Sequence, residues 1–182
     1  MVYADCEPLS VIACGGAGLL MLGVISRSTS DVDLIGIARV DKKGKISVSK
    51  KSTLPKEIVR LVSEVAVDER LDHDWLNFGP SSLLKVGLPP GALSRLIRKN
   101  FGNSLTVYFV SRRDQVALKI FAVMRSRQAE KHLSDLMDLK PKIKEVCAAV
   151  EWLLKRKTSR SFKDRLKEVL SCLGYENTIK NH

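Results

Sequence analysis

Apolar and polar residues follow two different periods along the first half of the chain. The β-branched, apolar run "LSVIAC" (Leu9 to Cys14) predicts a buried strand, and the alternation in "DVDLIGIARV" (Asp31 to Val40) predicts a second strand. Between them, "GAGLLMLGVI" (Gly16 to Ile25) predicts a short apolar helix. Strands and helices that alternate in this way predict an α/β (α+β) fold built on a small mixed β-sheet flanked by helices.

Further elements continue this mixed pattern up to residue 110. Lys43-Gly44 predicts a hairpin turn before an edge strand, and Pro55 predicts the start of a helix that runs to Leu71. The stretch from Asp72 to Gly91 is rich in glycine and proline, which predicts loops. "SLTVYFV" (Ser104 to Val110) is the last segment that predicts a strand.

Beyond residue 110 the apolar positions recur with helical spacing only. The sequence therefore predicts two regions, an α/β core over residues 1–110 and a helical C-terminal region over residues 111–182 that packs on the core. The predicted helices of the second region are Ser111 to Arg125, Ala129 to Leu139, Pro141 to Lys155 and Ser159 to Cys172.

Charge adds a preference for anionic partners. The 182 residues carry a formal net charge of +11, and from residue 140 onward 11 Lys and Arg stand against 5 Asp and Glu. A basic surface concentrates phosphate-rich partners such as nucleoside triphosphates or RNA, although a solvated basic helix pair without a partner explains the same charge. No apolar run reaches the roughly 18 residues that a membrane span needs, so we expect a cytoplasmic protein with no membrane partner.

The cysteines and histidines do not suggest a metal site. Four cysteines and three histidines are scattered through the chain without C-x-x-C pairing or other ligand spacing. In a cytoplasmic protein these cysteines are expected to be buried thiols instead of disulfides or zinc ligands.

Two features close together in the chain carry the candidate chemistry. Asp31 and Asp33 lie two apart at the start of a predicted strand, where alternate side chains share a face. Two adjacent carboxylates suit Mg²⁺, or Mn²⁺, which is commonly held by one or two carboxylates together with substrate phosphates. Gly15 and Gly16 lie between a strand and a helix, where bare backbone and N–H groups favour an approaching phosphate.

Each feature alone has an ordinary structural explanation. A D-x-D sequence at the start of a strand is often a solvated strand end, and a glycine pair is often only a turn. The order strand, G-G, helix, "RSTSDVD" (Arg27 to Asp33) and strand is much more specific, because it predicts a phosphate-binding backbone beside a metal-binding strand.

This order resembles the signature of the nucleotidyltransferase superfamily, which is G-[GS] followed some ten to fifteen residues later by D-x-[DE]. The matching stretch is "GGAGLLMLGVISRSTSDVD" (Gly15 to Asp33). A second block, "SRRDQVALKIFAVMRSRQAEKHLSDLMDL" (Ser111 to Leu139), is similar to a later part of minimal bacterial nucleotidyltransferases, among them the toxins of abortive-infection, type IV toxin–antitoxin systems. The resemblance spans Leu9 to Leu139 and implies a nucleotidyltransferase-like fold.

The resemblance implies a role for particular residues of this chain. Gly15 and Gly16 would cradle the triphosphate, and Asp31 and Asp33 would bind the metal. Lys119 would contact nucleotide phosphates, and Asp135 would lie near the active site as a candidate base.

Structural alternatives remain open for the residues around these motifs. Lys119 could instead be a lysine that extends from an apolar helix to solvent. Asp135 forms an i,i+4 pair with Lys131, which could be a surface ion pair. Arg27 and Thr29 are also candidate nucleotide-binding residues, with Arg27 able to reach a phosphate, but they could instead fix the loop before the metal strand. Ser111 with Asp114 predicts a helix capping box.

Active members of the superfamily generally carry a third carboxylate on a neighbouring strand. "SLTVYFV", where we expect it, has no acidic residue, so Asp72, Asp74 or Asp135 would have to substitute. Two functions are therefore open. The first is an enzyme, in a toxin-like role, that moves a nucleoside monophosphate from an NTP to a hydroxyl of RNA (including tRNA), of a protein or of a small molecule. The second is an inactive binding module that serves as an antitoxin-like or regulatory partner. RNA binding alone is a weaker third, because aromatic residues make up only 5% of the chain.

Overall fold

A mixed β-sheet and a group of helices occupy different parts of the chain. The computed structural model describes residues 7–49, 53–125, 129–156 and 159–178. Within these residues the chain divides into two compact units, the first formed by 7–21 and 27–111 and the second by 22–26 together with the residues from 112 onward. The first unit contains the sheet and the second contains the long C-terminal helices.

The sheet of the first unit has six strands. The strands are β1 (Leu9–Cys14), β2 (Val32–Val40), β3 (Ile46–Val48), β4 (Leu76–Asn77), β5 (Ile97–Phe101) and β6 (Leu105–Phe109). Their order is β3-β2-β1-β6-β5, and β4 pairs with the first residues of β2, on the side of β2 where β3 pairs with its last residues. The β1–β6 and β2–β4 pairs are parallel, and the remaining pairs are antiparallel.

The most buried strand is β1, which lies between β2 and β6. Its four residues from Val11 to Cys14 are all buried, as the β-branched and small apolar composition predicted. The pairing with β2 places Cys14 opposite Asp33, so the end of β1 reaches the beginning of β2. This register brings the glycine pair, which directly follows Cys14, to the aspartates of the D-x-D sequence.

Three α-helices of the first unit lie within the described residues: α1 (Gly15–Met21), α2 (Lys56–Asp68) and the single-turn α3 (Leu83–Val86). The prediction that the first helix continues to Ile25 was wrong. The helix ends at Met21, and Gly23 then adopts a left-handed backbone with φ of 65°. A glycine in this conformation is a common way to end a helix, even where the apolar pattern continues.

Four α-helices of the second unit lie within the described residues. They are α4 (Arg112–Arg125), α5 (Ala129–Leu139), α6 (Ile143–Leu154) and α7 (Arg160–Cys172). The central helix is α4, which packs against the other three. Arg112, the first residue of α4, donates from Nη2 to the carbonyl oxygen of Leu139 at 2.6 Å and from Nε to Glu145 Oε1 at 3.2 Å. Arg112 therefore ties α4 to the end of α5 and the start of α6, where helix carbonyl and amide groups need partners.

The predicted fold class is confirmed, because the structure is a mixed α/β fold with a six-stranded mixed sheet and a helical C-terminal region. Two strands were not predicted: β4, inside the stretch expected to be loops, and β5, just before the predicted last strand. No helix within the described ranges is long and apolar enough to cross a membrane.

The cysteines that the structure describes form no disulfide. Cys14 is buried and Cys147 is half-buried, but Cys172 is exposed, which corrects the expectation of a buried thiol at that position. Cys6 lies outside the described residues.

Candidate functional site

The first glycine of the pair lies directly against an aspartate of the D-x-D sequence. Gly15 has a left-handed backbone with φ of 71°, and a Cβ atom built on it would overlap Oδ2 of Asp33. Only glycine adopts this backbone without strain and also leaves this space for the carboxylate. The sequence predicted that the glycines make room for a phosphate. At Gly15, the position that a side chain would take is filled by the carboxylate of β2.

The second glycine has the same relation to the loop before β2. A Cβ atom on Gly16 would lie 2.9 Å from Oγ1 of Thr29 and 3.5 Å from Nη2 of Arg27. Gly16 itself is buried, whereas Arg27 and Thr29 are partly exposed. The loop therefore closes onto the backbone of α1 and holds a guanidinium group beside the glycine pair.

Thr29 also fixes the first aspartate. Its hydroxyl donates to Oδ1 of Asp31 at 2.7 Å. This bond restricts the carboxylate of Asp31 to one orientation just before β2 begins, and it occupies only one of the lone pairs of that carboxylate.

Six of the eight residues predicted for the site thus come together in the first unit. Five of the six are partly exposed, so the cluster is open to a ligand from solvent. The residues are Gly15, Gly16, Arg27, Thr29, Asp31 and Asp33. We call this group the glycine–aspartate cluster.

The other two predicted residues lie in the second unit and bind each other. Nζ of Lys119 on α4 forms a buried ion pair with Oδ2 of Asp135 on α5. The side chain of Asp135 is 0% exposed and that of Lys119 is 7% exposed. The two alternatives, a Lys119 that extends to solvent and an Asp135 in a surface ion pair, are therefore wrong. Asp114, the second residue of the predicted capping box, is buried as well, at 1% exposure. The nucleotide-binding role of Lys119 and the catalytic role of Asp135 stay predictions.

The strands beside the cluster do not supply a third carboxylate from the expected position. On β6, Tyr108 pairs in register with Ile12 and therefore lies on the sheet face of Cys14 and Asp33. On the other side of β2, Asn77 of β4 is the register partner of Asp33. Sequence reasoning missed Asn77, because a strand of two residues has no hydrophobic period that could reveal it.

The opposite face of the same sheet borders an apolar cavity of about 610 Å³. Val11, Leu34 and Val107 line it from the sheet, and Ile58 and Val62 line it from α2. Most of the lining residues are apolar, although Glu7 also lines the cavity, as does Thr29, which is a member of the glycine–aspartate cluster.

The donor set of the glycine–aspartate cluster fits a hard divalent cation. Mg²⁺ prefers oxygen ligands and is usually bound by one or two carboxylates together with phosphate oxygens and water, and Asp31 and Asp33 offer such a pair. In the part of the chain that the structure describes, no three His, Cys, Asp or Glu side chains come together as a metal-binding group. A cation here would therefore need further ligands from a bound substrate or water.

Comparisons with known proteins do not assign the chain to a family. No protein-family model, no curated protein and no solved structure matches it. The geometry of the cluster is therefore the basis on which a function is proposed.

Replacing Gly15 with alanine tests how closely Asp33 approaches the backbone. We expect Gly15→Ala to lose about 1–2 kcal/mol of stability from the left-handed backbone and about 1–3 kcal/mol more because its Cβ would overlap Oδ2 of Asp33. The matched control is Gly102→Ala, since Gly102 also has a positive φ, of 61°, but nothing lies within 4 Å of a Cβ built there. Thermal melting measures the stability of both variants, and equal losses in the two would contradict the prediction.

Proposed function

We propose that this protein is a Mg²⁺-dependent nucleotidyltransferase that moves a nucleoside monophosphate from an NTP to an acceptor hydroxyl. The observation that carries the proposal is the contact of Asp33 with the backbone of Gly15. This contact joins the two parts of the motif that carries the family resemblance. An ordinary solvated strand end has no need of a left-handed glycine that lets a carboxylate approach so closely.

The charges of the cluster suit a metal–triphosphate complex. Two carboxylates placed together repel an anionic nucleotide unless a cation lies between them, and Asp31 and Asp33 would hold that cation. The cation would neutralise phosphate charge and orient the α-phosphate for attack. Arg27, beside Gly16, adds a planar cation of the kind that binds phosphate oxygens in pairs.

The transfer itself needs positioning more than covalent chemistry from the protein. The acceptor oxygen forms a bond to the α-phosphorus, the bond from that phosphorus to the pyrophosphate oxygen breaks, and the hydroxyl proton is released to solvent. Thr29 contributes by hydrogen bonding to Asp31, and Asp33 lies directly against the backbone of Gly15. Such preorganisation lowers the cost of reaching the transition state.

A second candidate function is a nucleotide-binding module without transfer activity, in an antitoxin-like or regulatory role. It is favoured by one observation: neither register partner of Asp33 on the flanking strands, Cys14 of β1 and Asn77 of β4, is acidic, and Tyr108, which lies on the same sheet face in β6, is not acidic either. Two carboxylates are enough to hold a Mg²⁺–nucleotide complex, whereas efficient transfer benefits from a third carboxylate at the site.

Calorimetric titration of the full chain with ATP, GTP, CTP and UTP, with and without Mg²⁺, tests the proposal. We expect one or more of the four to bind, with an affinity at least about tenfold higher when Mg²⁺ is present. The nucleotide that binds best, carrying an α-phosphate label, is then incubated with total RNA and with protein acceptors. Labelled acceptor supports the enzyme, and binding without label favours the module. No Mg²⁺-dependent binding by the folded protein would contradict both.

A further inference from the structure

The strand β4 places an amide side chain beside the carboxylates. β4 runs parallel to β2, with Val32 opposite Leu76 and Asp33 opposite Asn77. Neighbouring strands lie about 4.8 Å apart, and register partners direct their side chains to the same face of the sheet. Asn77 is therefore the side chain that β4 places beside Asp33 on the same face of the sheet. It is partly exposed, as Asp33 is.

A turn after β4 fixes the orientation of this amide. The backbone N–H of Gly79 donates to Oδ1 of Asn77 at 2.8 Å. A backbone N–H can only donate, so the oxygen of the amide must face Gly79 and the Nδ2 group must point away from it. The room for this turn depends on glycine, because a Cβ on Gly79 would lie 2.9 Å from the same oxygen. The part of Asn77 that is left for a ligand is thus a neutral group with two N–H donors.

We propose that Asn77 binds the triphosphate at this site by donating from Nδ2 to a phosphate oxygen. The inference rests on the proposed function and adds a residue that lies outside the G-G and D-x-D motifs. Beside two carboxylates, an uncharged donor attracts phosphate oxygen, whereas a third carboxylate would attract only the cation. Asn77 is a binding residue in this scheme and not a metal ligand.

The two roles predict opposite effects for the same substitution. Asn77→Asp has nearly the same shape and keeps an oxygen for the N–H of Gly79, but it replaces the donor with a negative charge. A phosphate-binding role predicts that Asn77→Asp weakens nucleotide binding more than Asn77→Ala does. A metal-ligand role predicts that Asn77→Asp binds the metal nucleotide as well as the unmodified protein or more tightly, because it adds a third carboxylate.

The experiment titrates the full chain and its variants with the NTP that the unmodified protein binds best, at saturating Mg²⁺, and separately with Mn²⁺ alone. We expect Asn77→Ala to lower nucleotide affinity about tenfold, Asn77→Asp to lower it further, and Asn77→Ala to leave Mn²⁺ affinity unchanged. The matched control is Asn100→Ala on β5, where the amide oxygen also accepts hydrogen bonds, from Arg98 at 3.0 Å and from Thr106 at 3.2 Å. This control should bind the nucleotide normally.

Each outcome decides between the inference and the proposed function. If the unmodified protein binds no NTP, both are overturned. Three results would overturn only the role of Asn77: a folded Asn77→Ala that binds the nucleotide as tightly as the unmodified protein, an Asn77→Asp that binds it equally or more tightly, or an Asn77→Ala that binds Mn²⁺ alone more weakly. Circular dichroism melting shows whether each variant folds, and Asn77→Asp keeps the test decisive if Asn77→Ala does not.

Discussion

The double variant Asp31→Asn with Asp33→Asn should bind nucleotide in the presence of Mg²⁺ with an affinity lower by about 100-fold or more. Removing both charges leaves a cation at this site with neutral ligands only. Mutating only the groups that orient metal ligands commonly lowers metal affinity by roughly 10- to 100-fold, so the loss of two charged ligands should cost at least as much. The fold should persist, because the asparagine at position 31 keeps an oxygen that accepts from the hydroxyl of Thr29. Calorimetric titration of the same NTP used for the unmodified protein measures the loss.

Its control removes the same charge from the same unit at another place. Asp68→Asn with Glu69→Gln changes two exposed carboxylates at the end of α2 and should bind nucleotide normally. Melting offers an independent readout, because a bound ligand raises the melting temperature only of a protein that binds it. Mg²⁺ and NTP together should therefore raise the melting temperature of the unmodified protein and of the control. An equal rise in the variant that lacks both aspartates would show that the nucleotide binds elsewhere.

Much of the glycine–aspartate cluster could be predicted because its parts are close in sequence. Only ten residues separate Gly16 from Arg27 in the chain. The two strands that flank this segment are antiparallel neighbours, so a short connection returns the chain to the glycines. The apolar composition of β1 predicted a buried, central strand. The alternation that begins at Asp31 predicted which side chains of the next strand share a face of the sheet. What the pattern could not show was that Asp33, and not a phosphate, fills the space beside Gly15.

The missed features depend on contacts between distant parts of the chain. Asn77 reaches Asp33 through a strand of two residues, which is too short to have a period. β5 was missed because all five of its residues are exposed, with Arg98 and Lys99 among them, as suits an edge strand. The pair of Lys119 and Asp135 joins two helices, whereas a helical pattern indicates only neighbours within one helix, such as Lys131 and Asp135.

This buried pair should make the second unit highly sensitive to Asp135→Ala. The substitution leaves the ammonium group of Lys119 buried without its carboxylate, which typically costs about 3–5 kcal/mol, a large share of the roughly 5–15 kcal/mol that stabilises an ordinary domain. Urea denaturation of the full chain, followed by helical circular dichroism, measures the change. The matched control is Asp138→Ala, an exposed carboxylate three residues further along α5, which should change stability by about 0.5 kcal/mol or less.

A double substitution separates the structural role of the pair from any part in the chemistry. Lys119→Met with Asp135→Val removes both charges at similar volume and should recover most of the stability that Asp135→Ala loses, since apolar pairs often replace buried ion pairs without loss. A stability of Asp135→Ala within about 1 kcal/mol of the Asp138→Ala control would contradict the buried pairing. Because Asp135→Ala weakens the fold, a loss of nucleotide transfer in that single variant could be explained by unfolding and does not show a role in the reaction. If transfer persists in the stable double variant, both residues are structural; if it is lost there, at least one of them takes part in the reaction.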